Sequence, residues 1–204
     1  MKNKQLDNIW KAEFGDQYTD RMLKVHEGEG GQRKKFWDYI INAMDDVKSV
    51  TEIGCNAGMN LEGIHSANQN LKIIGIEPNH YAREKALFIS KNRYSVVEGN
   101  IFNLSGFDKS DLGITCTLLI HIAPENLIKA MKNVYELSKK YILIMEYYWP
   151  TLKEIHYRGL DDALWKQDFG RIFTNNFDVD ILKTGYLDER DGFDGVTWWL
   201  FKKR

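Results

Sequence analysis

The stretch Ser49-Val50-Thr51-Glu52-Ile53-Gly54-Cys55-Asn56-Ala57-Gly58-Met59-Asn60 constrains this chain more than any other. A short β-branched run ends at Ile53, two glycines follow four positions apart, and apolar residues then recur at helical spacing at Leu61, Ile64 and Ala67. The pattern predicts strand, tight turn, helix. In an open parallel sheet the first such turn is where a nucleotide-like ligand lies, because glycine allows close backbone approach and the helix N-terminus presents unpaired N–H groups.

Glycine spacing narrows the ligand. A dinucleotide fingerprint needs glycine at the first, third and sixth positions, where this chain has Gly54, Asn56 and Met59. A phosphate-binding loop needs a lysine beside its second glycine, and no lysine lies between Lys48 and Lys72. Instead, Glu52-x-Gly54-x-Asn56-x-Gly58 resembles the [DE]xGxGxG motif of the class I methyltransferases that use S-adenosylmethionine (SAM), with Asn56 in place of the middle glycine. Taken alone, the motif also reads as an ordinary turn. The second strand adds to it: Leu71-Lys72-Ile73-Ile74-Gly75-Ile76 ends in Glu77-Pro78, 23 positions beyond Gly54. A carboxylate at that distance, on a strand end, is where an adenosine ribose is held through its hydroxyls.

Composition bounds the rest. With 204 residues, 43% hydrophobic and 28% charged, the chain can bury a core and is expected to form a single domain, 1–204, with an N-terminal helical cap (1–46) and a Rossmann-like core (47–204). A formal net charge of −1 gives no long-range attraction to nucleic acid, so no nucleic-acid partner is expected. Met1 to Gln5 lacks an apolar signal segment and no stretch approaches the ~18 apolar residues of a membrane helix, so cytoplasmic residence without a membrane partner is expected. Only Cys55 and Cys116 occur, predicted at strand ends, and they form neither a metal set nor a disulfide frame. Aromatic residues, 13% of the chain, concentrate between Glu146 and Tyr157 and at Trp198-Trp199, which fits a stacked acceptor site or a thick core.

In chain order, residues 3 to 45 read as helical pieces: one around Ile9-Trp10, a polar break at Phe14-Gly15-Asp16, then segments near Arg21 to His26 and Phe36 to Met44, with a flexible Glu27 to Gln32. Such helices before a first strand either cap a cofactor site or simply pack. A helix from His80 to Lys91 precedes a third strand, Tyr94 to Glu98, ending at Gly99-Asn100-Ile101. Asp111 to Cys116 is a fourth strand and Thr117 to Glu125 crosses to a helix from Asn126 to Lys139. Tyr141 to Tyr148 is a fifth strand, followed by a loop with His156, Tyr157 and Arg158 and a helix from Leu160 to Asn175. Phe177 to Leu182 and Val196 to Phe201 close the count at seven strands.

Several segments together resemble the methyltransferases associated with pseudaminic acid biosynthesis: Trp10 to Arg21, the glycine turn with Gly58-Met59-Asn60, Leu119 to Ile122, Glu146 to Thr151, Tyr157 to Gly159, Lys166 to Gly170 and Val196 to Trp198. The resemblance implies an α/β, seven-stranded sheet with the last strand antiparallel, SAM as cofactor (S-adenosylhomocysteine, SAH, as product), and a nonulosonic sugar or a related sugar intermediate as acceptor. The alternation of strands and helices supports that fold independently. On this resemblance the cofactor is held by Tyr18, Arg21, Gly54, Cys55, Asn56, Gly58, Asn60, Glu77, Pro78, Asn100, Ile101, Thr117 and Leu118. His121 is the first choice of base, because an imidazole titrates near neutrality, with Glu146 and Tyr148 next. A histidine in an apolar run is otherwise structural. Tyr147, Trp149, His156, Tyr157 and Arg158 would bind the acceptor, a guanidinium being a planar two-pronged partner for a sugar carboxylate. Alternatively, Arg158 pairs with Asp161 or Asp162. Rival readings are a catalytically silent SAM-binding partner subunit, a methyltransferase for another small metabolite, and an NAD-dependent enzyme of similar topology.

Overall fold

The computed structural model of the chain describes residues 8–25 and 30–204. Residues 8–11 are helical (α1), and α2 (Glu13–Val25) and α3 (Gly30–Asn42) precede the first strand. Strands and helices then alternate through β1 (Ser49–Ile53), α4 (Met59–Ala67), β2 (Lys72–Glu77), α5 (His80–Ser90), β3 (Ser95–Glu98), β4 (Ser110–Cys116), α6 (Pro124–Leu137) and β5 (Ser138–Glu146). A small hairpin of β6 (Lys153–Glu154) and β7 (Trp165–Lys166) follows, then α7 (Phe169–Asn176), β8 (Val179–Leu187) and β9 (Val196–Lys203).

Seven strands pair in the order β3-β2-β1-β4-β5-β9-β8. β1 to β5 run parallel, and β9 runs antiparallel to both its neighbours, as expected. Because the order reverses between β1 and β4, their C-terminal ends diverge into a crevice. The central strands are apolar on both faces because helices cover both. Trp37, Ile40, Leu61 and Ile64 from α3 and α4 pack on one face; Leu127, Met131, Val134, Phe169 and Phe173 from α6 and α7 pack on the other. Each fully buried Ile, such as Ile76 and Ile114, contributes about 1.5–3 kcal/mol relative to exposure.

Four expectations change. The anticipated break at Phe14-Gly15-Asp16 is absent: α2 runs through it, and the kink falls at Ala12. Gly15 is there for closeness, since a Cβ would strike the Trp10 carbonyl and come within 2.7 Å of Asn79 Nδ2. The expected helix from Leu160 begins only at Phe169, where Asp168 caps it by accepting from Arg171 N at 2.9 Å. The preceding residues pair as a hairpin, because Trp165 and Ala163 bury themselves against Ala123. Of the stretch expected to be flexible, residues 27–29, like His26, lie outside the described residues, and Gly30 to Gln32 open α3. β5 starts at Ser138, directly off α6, and ends at Glu146, so Tyr147 and Tyr148 lie beyond the sheet.

Candidate active site

The crevice holds a cavity lined by the β1–α4 turn, the end of β2, Asn100 to Phe102, Cys116 to Leu118, His121, the N-terminal residues Trp10, Gly15, Tyr18 and Met22, and Phe193 and Asp194 before β9. Its floor is the turn itself. Gly54, Asn56 and Gly58 have φ of +73°, +47° and +81°, so the motif's three glycine positions are all left-handed. Asparagine is among the few residues that enter this region readily, which explains how Asn56 replaces a glycine without altering the path. Gly54 N bonds Ile76 O at 2.7 Å, holding the turn against β2.

Glu77 is buried at the end of β2 and lines the cavity. Its Oε2 accepts from Asn56 N and its Oε1 from Asn79 N, both at 2.9 Å, which aims the carboxylate at the crevice. Asn100 folds back to accept from Phe102 N at 2.9 Å and presents its amide at the cavity wall beside Ile101. Thr117 has φ of +50°, an outlier for a β-branched residue that costs about 1–3 kcal/mol and marks the sharp exit from β4.

The N-terminal segment closes over these groups. Asn56 Nδ2 donates to Thr19 Oγ1 at 3.0 Å, Asn79 Nδ2 donates to Trp10 O and Asp16 Oδ1, and Tyr81 OH donates to Asp20 Oδ1 at 2.8 Å. Burial pushes the Tyr18 hydroxyl upward, with Thr117 beside it opposing. Arg21 sits 5.7 Å from the Tyr18 ring, off the cavity lining, and its Nε and Nη2 are buried without a hydrogen-bond partner among the described residues.

A polar chain lies beneath the turn. Arg33 Nη1 donates to Asn60 Oδ1 at 2.7 Å, Asn60 Nδ2 donates to Glu52 Oε1 at 2.7 Å, and Arg33 Nε donates to Gly192 O at 2.8 Å. Glu52 Oε2 has no hydrogen-bond partner among the described residues, although only 2% of the residue is exposed. Burial pushes the Glu52 carboxyl up to about 8, opposed by Asn60 and Arg33. Burial also pushes Cys116 up to about 12 and Cys55 well above the usual thiol range, so both stay protonated.

His121 lines the cavity, with its ring 4.6 Å from Trp10 and 5.3 Å from Tyr157. Its Nδ1 lies 2.7 Å from Ala163 O; a carbonyl only accepts, so Nδ1 carries the proton and Nε2 keeps a lone pair. Burial lowers its pKa to about 4, which replaces the expectation of an imidazole titrating near neutrality. Glu146 is fully buried and off the cavity lining: its carboxylate accepts from the N–H groups of Leu118, Leu119 and Ile120. Those bonds oppose the burial that raises it to about 8. Tyr148, half exposed, leans on Trp199 at 6.4 Å and is also off the lining.

The cavity therefore gathers Tyr18, Gly54, Cys55, Asn56, Asn60, Glu77, Pro78, Asn100, Ile101, Thr117, Leu118 and His121, leaving Arg21 and Gly58 just behind it. None of the five expected acceptor residues lines it. Tyr147 approaches through its OH, 3.5 Å from Asp194 Oδ2, and Tyr157 through the His121 ring. Trp149 stacks under Lys153 at 4.2 Å, His156 bonds Asp161, and Arg158 stands exposed at the hairpin tip with φ of +51°. Asp161 thus pairs with His156, and no ion pair is formed by Arg158 among the described residues. Glu52, Arg33, Asn79, Trp10 and Asp194 were absent from the sequence-based site. Of these, Glu52 carried a signal as the acid of the turn motif and Trp10 as the first residue of a segment of the resemblance.

No family model and no curated protein matches the chain. Among solved structures it is similar to magnesium protoporphyrin IX methyltransferase of Synechocystis with bound SAH, at 13% identity, over 99% of this chain and 100% of that one, with a TM-score of 0.74. It is also similar to a Burkholderia thailandensis 1,6-didemethyltoxoflavin N1-methyltransferase, crystallised with its substrate and SAH, at 9% identity, over 96% and 88% of the two chains, with a TM-score of 0.74. A third is the N-terminal domain of EvdMO1, determined in the presence of SAH and D-fucose, at 13% identity, over 85% and 83%, with a TM-score of 0.64. The fold is that of the class I SAM-dependent methyltransferases. Among the described residues no helix is long and apolar enough to cross a membrane, and no three potential ligands group as a metal site.

Proposed function

We propose that the protein, acting as one domain with residues up to 46 as its cap, transfers a methyl group from SAM to a small-molecule acceptor, a nonulosonic (pseudaminic-type) sugar or a related sugar intermediate. The observation that carries this reading is Glu52 Oε2, buried on the cavity lining beside the glycine turn with no hydrogen-bond partner among the described residues, together with the unpartnered Nε and Nη2 of Arg21, which lies off the lining. An unpaired buried polar group costs about 1–3 kcal/mol, more when charged, so both call for a ligand. The methionyl end of SAM brings an ammonium, which Glu52 meets as it gives up its proton, and a carboxylate, the counter-charge of a guanidinium. Binding at the sheet's switch point fits the family of folds and the SAH-bound neighbours.

When bound, SAM supplies a methyl group on an electrophilic sulfonium. The chain's own residues align, exclude water and move a proton. Glu77 accepts the ribose hydroxyls, Asn100 and Ile101 hold the adenine edge, and the left-handed turn allows close approach. Trp10, Tyr18 and the rest of the cap shut out solvent. His121 Nε2, neutral and uncommitted, accepts the proton of an acceptor hydroxyl as the new bond forms. Glu146 positions this machinery by holding the backbone of Leu118 to Ile120, behind the cavity. The sugar acceptor is supported by the aromatic surfaces of Trp10, Tyr18 and Phe193 and by a neighbour determined with D-fucose. Incubation with methyl-labelled SAM and a panel of free and activated nonulosonic sugars tests the reading. Transfer to a panel member is expected, and failure to bind SAM or SAH would remove the reading altogether.

A further inference from the structure

The charged groups of the cavity are nearly all committed. Glu77 is bonded by two backbone N–H groups, Arg33 by Gly192 and Asn60, and His121 is kept neutral by burial, with its Nδ1–H donating to Ala163 O. On the proposed cofactor reading, Glu52 and Arg21 take the two charges of the methionyl group. Asp194 remains. It lies in the loop between β8 and β9, lines the cavity at its solvent-exposed end, and forms no ion pair with a described cation. Its Oδ2 is 3.5 Å from Tyr147 OH, and the Phe193 and Tyr18 rings line the same space. Arg158, the guanidinium expected to hold an acidic acceptor, stands outside.

Lys166 Nζ stacks 5.0 Å from the Tyr147 centroid and Arg33 Cζ 4.5 Å from the Phe193 centroid, but neither forms an ion pair with Asp194 among the described residues, so this carboxylate among aromatic faces attracts ammonium groups and repels carboxylates. We propose that Asp194, with Tyr147, is the specificity-determining pair of the acceptor site and selects an acceptor that carries an amino group, an amino sugar rather than a free sugar acid. This inference rests on the methyltransferase reading for the identity of the site and, of the two acceptors proposed there, favours the sugar intermediate over the nonulosonic acid itself. The amine donates to Asp194, and Tyr147 contributes its hydroxyl and the edge of its ring.

The test titrates the full chain, saturated with SAH, with three matched probes: D-glucosamine, D-glucose and D-glucuronate, followed by calorimetry at millimolar sugar. Glucosamine is expected to bind at least tenfold tighter than glucose, with glucuronate weakest. Asp194→Asn should erase that preference while leaving SAH affinity unchanged, and because the side chain is exposed the core is undisturbed. Tyr147→Phe should reduce the preference without abolishing it. Glucose or glucuronate binding as tightly as glucosamine, binding by none of the three, or a preference that survives in Asp194→Asn overturns the inference. SAH binding is read in the same titration series. Its absence defeats the methyltransferase reading, whereas SAH binding without amine preference defeats only the role of Asp194.

Discussion

Asn56 Nδ2 donates to Thr19 Oγ1 at 3.0 Å, so the one glycine position of the motif that holds another residue is also a fastening for the helix that covers it. A glycine would serve the backbone equally well, since φ there is +47°. It could not reach α2. The substitution thus adds a tie between the cofactor loop and the N-terminal cap.

Asn56→Gly should therefore leave the fold intact and loosen the cap. Two bonds are lost, the one to Thr19 Oγ1 and the one Asn56 Oδ1 accepts from Ala57 N at 2.7 Å, each worth about 0.5–1.5 kcal/mol and partly offset by relief of the left-handed asparagine. Amide exchange across residues 13–25 should accelerate several-fold, and SAM should both enter and leave faster. Unchanged exchange in that helix would show that Asn79 and Tyr81 hold it without help.

Glu77→Ala removes the acceptor for the ribose hydroxyls, each charge-assisted bond being worth roughly 1.5–3 kcal/mol. SAM affinity measured by calorimetry should fall more than tenfold with the far-UV circular dichroism preserved. A folded variant of undiminished affinity would displace the ribose from this strand end.

Glu52 gives a pH signature. Its carboxyl is pushed up to about 8 by burial, so in the free protein it is largely protonated at neutral pH. Because the folded pKa is raised, its contribution to stability is fully present below the ordinary carboxylate value and is lost as pH rises through about 8. The ammonium of SAM requires the carboxylate form. SAM affinity should accordingly climb as pH rises toward 8, with proton release seen as a buffer-dependent heat, and Glu52→Gln should flatten both. A wild-type affinity independent of pH between 6 and 8 would separate Glu52 from the ammonium.

His121→Asn should lower kcat by ~10²–10⁴ while SAM affinity stays, the loss typical of a missing general base. Its depressed pKa means that its contribution to stability is present above the unfolded value near 6.5 and lost as pH falls through about 4. No limb near pH 6.5 should therefore appear in the rate profile on its account. Near-normal turnover in the variant would return His121 to the packing role that its Trp10 and Tyr157 neighbours also suit.

Sequence by itself determined the strand–helix alternation, the glycine turn and Glu77 at the second strand end, while the antiparallel last strand was implied by the family resemblance alone. The first three depend on short-range properties: side-chain periodicity, backbone freedom at a turn, and a carboxylate placed a fixed number of residues on. Only the tertiary structure decided the continuity of α2 through Gly15, the hairpin in place of a longer helix, and the separation of Arg158 from the cavity. It also brought Arg33 to Gly192, 159 residues away, and set Asp194 opposite Tyr147, 47 residues away. Such pairings follow from how helices and loops pack over a sheet whose strand order is not the chain order. Local pattern carries no record of them, because the free energy that selects them is shared among contacts distant in sequence.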